Sequence, residues 1–322
     1  MLAGDLGPKA WALFGVRVAS LAAALAGTAA FGLLPEGLFS LRASSTAVST
    51  PLSATGEPLL DDACRETADW IARQLGPRGR AIVRPPFVVA GLTSEAELDA
   101  WHRDLVAPAA RAMAAEYFDR ATPDEPITVL LLSSDKDYRS SARALFGDED
   151  VSSFGYYRPH LRTILVNLGR GSSGLRHELT HALMAFDFPA APEWLNEGLA
   201  SLHEDGQVRP DGAGIDGAVN WRLELLQEAA GRGRLLTLPD FFREGDFQGS
   251  GKGLGYAQAR YFCLYMQRRG VLREFYRRFR DEPGDDPTGA ALVAAAFSGR
   301  CWGEIDADFC AWTMSLSAPA SR

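Results

Sequence analysis

The segment LRHELTHALMAF, Leu175 to Phe186, decides how this chain is read. It holds His177, Glu178 and His181 in the spacing HExxH. Residues four apart on a helix share a face, so both imidazoles can reach one Zn2+ at about 2.0 to 2.1 Å. Glu178 lies one step round from His177, where it can reach a water in the open coordination position without becoming a ligand. A general base for metal-assisted hydrolysis needs that placement. A helix carrying two solvated or core-capping histidines is the plain alternative.

A catalytic zinc takes three protein ligands and keeps a fourth position for water. Past Phe188 and Pro189 the chain is expected to turn, with a second helix from about Pro192, because proline suits a first helical turn. That helix, PEWLNEGLASLHE, carries Trp194, Leu195, Leu199 and Leu202 as an apolar stripe. Glu197 is the expected third ligand, since its sixteen positions beyond His181 let the first helix finish, turn and return a carboxylate. Glu193 and Glu204 are rivals on the same helix, and Glu193 also suits a helix N-terminus by its charge. A metzincin arrangement would use Asp187, six beyond His181, but its sharp turn would then fall on Met184 in place of a glycine.

Upstream, ITVLLL from Ile127 to Leu132 is a continuous apolar run between turn formers, expected as a buried central strand. Helices are expected over Asp61 to Leu75, Glu95 to Asp119 and Tyr138 to Phe146. The second has Leu98, Trp101, Leu105, Met113 and Tyr117 at helical spacing. Pro86 to Ala90 reads as a short strand. Phe154 to Tyr157 and Thr163 to Val166 read as a hairpin across Arg158, Pro159 and His160. Beyond the second helix the sequence is mostly helical, and no internal repeat occurs. The expected fold class is α+β, with a small N-terminal mixed sheet, the HExxH helix and a helical C-terminal half.

RHELTHAL followed by PEWLNEGLASL resembles the gluzincin metallopeptidases, specifically the peptidase MA-like domain proteins. ITVLLLSSDKDYRSSARALFG and FGYYRPHLRTILVN are similar to the strand, helix and hairpin before the zinc helix in that family, and YAQARYFCLYMQRRGVLREFYRRF to a segment in which a Tyr opens a long helix. The resemblance covers roughly Pro85 to Arg280. It implies Zn2+ held by His177, His181 and Glu197, Glu178 as general base, and an extended peptide substrate paired with the strand around Phe154 to Tyr157. Thermolysin-like members place an orienting Asp four residues after the ligand Glu. Here that position is Ser201, so orientation is expected from Glu193, Glu204 or a backbone carbonyl. The donor opposite the metal is expected to be Tyr256, with Tyr157 behind it.

The chain has 322 residues and ordinary globular composition, enough for one large domain, expected over 61–316. A net charge of -8 and no concentrated basic face argue against nucleic acid; the densest run, Arg268 to Arg280, is expected as the solvated face of a helix. Lys9 and Arg17 precede an apolar run from Val18 to Leu34, expected as an export signal or membrane anchor, with Ala26 and Ala30 suiting cleavage. A Ser/Thr/Pro-rich tether follows from Ser44 to Pro58, so residues 1–60 are expected as signal or anchor plus tether and the rest as extracytoplasmic. Cys64, Cys263, Cys301 and Cys310 lack CxxC spacing and suit either disulfides or burial. His102 and His160 have no companions at ligand spacing. His203 points off the ligand face, where a structural role is expected. GSGKGLG, Gly249 to Gly255, is no complete phosphate loop and is expected as a mobile loop near the site. The function expected from these features is zinc-dependent peptide hydrolysis, the alternative being a silent module that binds a peptide or envelope partner.

Overall fold

The computed structural model describes residues 59–282 and 284–317. The apolar run from Val18 to Leu34 and the tether lie outside these residues. Among those described, no helix is long and apolar enough to cross a membrane.

The fold is α+β. Its sheet comprises β1 (Arg80–Arg84), β2 (Phe87–Gly91), β3 (Ile127–Leu132), β4 (Gly155–Arg158) and β5 (Thr163–Asn167), in the order β1-β2-β3-β5-β4. β2, β3 and β5 run parallel, and β1 and β4 flank them antiparallel, which makes the sheet mixed. Every residue of β3 is buried because both faces of the sheet are covered. Val88, Ala90, Leu130, Leu132 and Leu165 face α1 (Leu60–Gln74) and α4 (Asp135–Phe146), meeting Ala68, Ile71, Tyr138 and Ala142. Val89, Val129, Leu131, Ile164 and Val166 face the main core with α3 (Ala107–Glu116) and α5 (Ser173–Asp187).

The expected strand at Pro86 to Ala90 and the expected hairpin are present within a residue or so. β1 and the short pair β6 (Gln207–Val208) and β7 (Ile215–Asp216) have no counterpart among the expectations. The single helix expected over Glu95 to Asp119 is broken. It runs as α2 (Glu95–Trp101), a wide π turn over His102–Val106, and α3. Pro108 explains the break: it has no N–H to give the carbonyl four residues back, and its ring crowds that carbonyl. The Ala107 N–H reaches back to the His102 carbonyl, and the turn widens.

After α6 (Glu193–Glu204) and the β6/β7 pair the chain is helical, with α7 (Arg222–Gly231), α8 (Leu238–Glu244), α9 (Lys252–Arg268), α10 (Leu272–Asp281), α11 (Ala290–Ala296) and α12 (Trp302–Ser315). Trp194 on α6 stacks on Phe242 with ring centroids 4.5 Å apart and donates its indole N–H to the Thr288 carbonyl at 2.9 Å. α9 lies along α6, where a Cβ on Gly198 would stand 2.9 Å from the Ala259 carbonyl oxygen, so only glycine permits this approach.

Three expectations are corrected here. The basic run Arg268 to Arg280 is not wholly a solvated face. Arg280 is 5% exposed and donates to both oxygens of Asp187 at 3.0 Å and to Asp119 at 2.6 Å. GSGKGLG is a loop only from Gly249 to Gly251, where Asp246 accepts the N–H groups of Gln248, Gly249 and Gly251 at 3.1, 2.5 and 2.8 Å, and Lys252 onward is α9. Tyr256 accordingly sits one turn inside α9 rather than at its start. All four cysteines are free thiols, with Cys64 and Cys263 buried as small hydrophobes and Cys301 exposed.

Candidate metal centre

α5 crosses the sheet beneath β4 and presents His177, Glu178 and His181 toward an open cleft of about 800 Å³. α6 returns antiparallel from the turn at Phe188 to Pro192 and faces Glu197 back onto α5. The Glu197 Oε2 lies 3.5 Å from His177 Nε2 and 3.6 Å from His181 Nε2, and the two imidazole rings stand at 76°. One ligand atom from each of the three residues lies within 4.8 Å of the others, and it is the one such His, Cys and carboxylate group among the described residues.

The spacing tests whether a cation fits. Ligands at about 2.1 Å from a tetrahedral ion stand about 3.4 Å apart, close to the two separations from Glu197. Charge makes the same point: Glu197 Oε2 is buried and accepts no hydrogen bond, although a buried carboxylate oxygen without a donor is costly. Burial alone would raise the Glu197 pKa, but His177, His181 and a hydrogen bond from the Tyr256 hydroxyl outweigh it and hold the carboxyl below its ordinary range. The residues present fit a metal ion.

Each histidine also has a partner behind it. His181 Nδ1 lies 2.8 Å from the Asn196 side-chain oxygen, a contact that turns Nε2 toward Glu197. Behind His177, Nδ1 faces the Glu204 Oε2 at 3.9 Å. Glu204 is therefore on the far side of the ring from Glu197 and is not in the ligand group.

Glu178 is buried and accepts the Tyr157 backbone N–H. Burial, reinforced by Glu197 and opposed by His181, pushes its carboxyl up to about 7. β4 is the sheet edge, and it approaches Glu178 closely: a Cβ on Gly155 would meet the Leu165 carbonyl at 2.7 Å and the Glu178 Cγ at 3.4 Å. Tyr256 stands across the cleft with its ring centroid 6.5 Å from that of His177 and edge-on to Phe247. Burial and the Glu197 carboxylate together raise its hydroxyl pKa. Tyr157 also lines the cleft, with its hydroxyl pushed up to about 12 by burial.

Other candidates are placed elsewhere. Asp187 is fully buried among the Tyr276 hydroxyl at 2.9 Å, the Arg120 N–H at 2.9 Å and Arg280, with no room in its shell for a metal. Its burial removes the metzincin alternative. Glu193 opens α6 and accepts from the Gln248 side chain at 3.0 Å on the rim. His203 is buried with Nδ1 2.9 Å from the Thr180 hydroxyl, a structural position, and burial drops its pKa to about 3. Ser201 is buried with its hydroxyl unpartnered and holds neither ring. Asn196 and Arg222 are missing from the sequence-level expectations. Asn196 was findable as the polar neighbour of Glu197, but Arg222 lies past an intervening strand pair and carried no local signal.

No protein-family model matches this chain, and no curated protein matches it.

Proposed function

We propose that this chain is a zinc-dependent peptidase of the gluzincin kind, with His177, His181 and Glu197 holding the metal and Glu178 as general base. The observation that carries the reading is the buried, donorless Oε2 of Glu197 between two Nε2 atoms, with the buried Glu178 carboxyl alongside. Two imidazoles and one carboxylate are the donor set of hydrolytic zinc sites. When bound, zinc supplies Lewis acidity toward the scissile carbonyl and toward water.

The chain's own groups do the rest. Glu178 takes the proton of the attacking water and hands it to the leaving amine, a double duty for a carboxyl on the helix that bears both imidazoles. The Tyr157 N–H fixes where that carboxylate points. Tyr256 is the donor toward the carbonyl oxygen as it gains charge. Asn167 donates to the Phe154 carbonyl, so the backbone groups of Gly155 and Tyr157 face away from β5. Apart from the Tyr157 N–H, which Glu178 takes, they form an edge on which an extended peptide can add as a strand. The exported location belongs to the same proposal and rests on the apolar run Val18 to Leu34.

The test is zinc content and peptide hydrolysis of the purified chain. Wild type is expected to hold about one zinc, Glu197→Ala to lose it, and Glu178→Gln to keep zinc while hydrolysis falls about 10²- to 10⁴-fold. A wild type that takes up no zinc on reconstitution, or a Glu178→Gln variant that cleaves as fast as wild type, would sink the reading.

A further inference from the structure

We propose that Glu204 and Arg222 form a positioning pair that sets the orientation of His177 and the strength with which the site holds its metal. This inference rests on the metal-site reading above and concerns residues outside the ligand group.

Glu197, Ser201 and Glu204 lie at i, i+4 and i+7 on α6 and so share the face turned to α5. Ser201, in the middle, makes no hydrogen bond. The next group along, the Glu204 carboxylate, lies behind His177: Oε2 is 3.9 Å from Nδ1, while Nε2 looks the other way to Glu197. That separation is longer than a hydrogen bond, and a movement of about 1 Å closes it. The same Oε2 accepts from Arg222 Nη1 at 2.7 Å, with the two side chains 10% and 12% exposed.

Arg222 is itself fixed. Its guanidinium lies over the Trp221 ring at 4.3 Å, and its backbone N–H donates to the Asn220 side-chain oxygen at 3.1 Å. Arg176, the residue before His177, donates to the backbone carbonyls of His203 and Glu204 at 2.9 and 2.8 Å, clamping the end of α6 to α5. Glu204 is thus held at both its backbone and its carboxylate, beside His177.

The two histidines then differ in kind. His181 is backed by a neutral amide and His177 by a carboxylate, and a carboxylate behind a ligating imidazole fixes its tautomer and makes it a stronger donor. Arg222 shares the oxygen and holds it in place, so it tunes how much of that effect reaches the ring.

The experiment uses wild type, Glu204→Gln, Arg222→Met and Arg222→Lys in metal-free form. It measures zinc affinity by competition with a chromophoric chelator, the visible bands after Co2+ loading, and the thermal midpoint without metal. Glu204→Gln is expected to bind zinc about 10- to 100-fold more weakly, with shifted Co2+ bands. Arg222→Met is expected to fall in the same direction, and Arg222→Lys to recover most of the loss. A purely structural pair would lower only the thermal midpoint, leaving zinc affinity within about twofold and the Co2+ bands unmoved; that result overturns the inference while the metal site stands. Wild type that binds no zinc overturns both. If Glu204→Gln does not fold, the contrast between Arg222→Met and Arg222→Lys decides by the same criteria.

Discussion

Two carboxylates at either end of the α5 to α6 turn show how burial separates structure from chemistry. Asp187 and Glu197 are both largely buried, and both were candidate third ligands. Asp187 meets the Arg280 guanidinium, the Tyr276 hydroxyl and the Arg120 N–H, so both of its oxygens are satisfied by this chain. Glu197 has one oxygen facing two imidazole nitrogens and accepting nothing. A carboxylate that the fold completes is part of the fold, whereas one that the fold leaves incomplete has room for a cation.

The comparison breaks most directly by removing each carboxylate in turn from the metal-free protein. Asp187→Ala strips a buried partner from Arg280, which is 5% exposed, and is expected to cost about 3 to 5 kcal/mol of unfolding free energy. Glu197→Ala removes a carboxylate whose Oε2 satisfies no donor and whose partners, His177 and the Tyr256 hydroxyl, line an open cleft where water can replace it, so it is expected to cost about 1 kcal/mol or less. Zinc binding should reverse the ranking, lost with Glu197→Ala and kept by the folded fraction of Asp187→Ala. Denaturant unfolding with and without zinc reads both, and similar metal-free costs for the two would erase the distinction.

Glu178 sharpens the comparison through pH. Burial raises its carboxyl from the ordinary range to about 7, so the folded metal-free protein holds a proton that the unfolded chain releases near pH 4.5. A folded pKa above the unfolded one means that the stability contribution is complete below about pH 4.5 and is lost as pH rises through about 7. Glu178→Gln removes that loss. It is expected to stabilise the metal-free protein by about 3 kcal/mol at pH 8 and by little at pH 4. Urea melts of the two proteins across this range check it, and a difference independent of pH would contradict the burial effect.

The convergence of His177, His181 and Glu197 was legible in the sequence because its geometry is local. HExxH puts two rings on one helical face, and the turn after Pro189 brings back a helix whose only inward carboxylate near both rings is Glu197. What surrounds the group was less legible. Asp187 carries the same residue type as a ligand, and only the arrival of α10, some ninety residues later, fills its shell. Arg222 becomes relevant to His177 only through Glu204, across the β6/β7 pair. Among the secondary elements, the long apolar periodicity from Leu98 to Tyr117 hid the break that Pro108 imposes, since the apolar face continues through the π turn. β1 was missed because its pattern alternates weakly between two arginines and only its pairing with β2 defines it.

The smallest expected effect concerns how tightly the helix carrying Glu197 is held. Gly198 follows Glu197, and a Cβ there would stand 2.7 Å from the Cys263 Sγ and 2.9 Å from the Ala259 carbonyl oxygen. The second contact is with backbone, so no side-chain rotation relieves it and α9 must move. Gly253, in the first turn of α9, is the matched control: its Cβ would meet only the Leu225 Cδ2 at 3.7 Å, an ordinary contact. Alanine gains up to about 1 kcal/mol over glycine in a helix, and overpacking costs about 1 to 3 kcal/mol. Gly253→Ala is therefore expected to be neutral or slightly stabilising. Gly198→Ala is expected to lose about 1 to 2 kcal/mol, and because α9 also carries Tyr256, its displacement should lower turnover more than zinc affinity. Thermal melts with zinc titration of both variants read this out. Equal behaviour of the two alanines would mean that the α6 to α9 contact is looser than its backbone geometry requires.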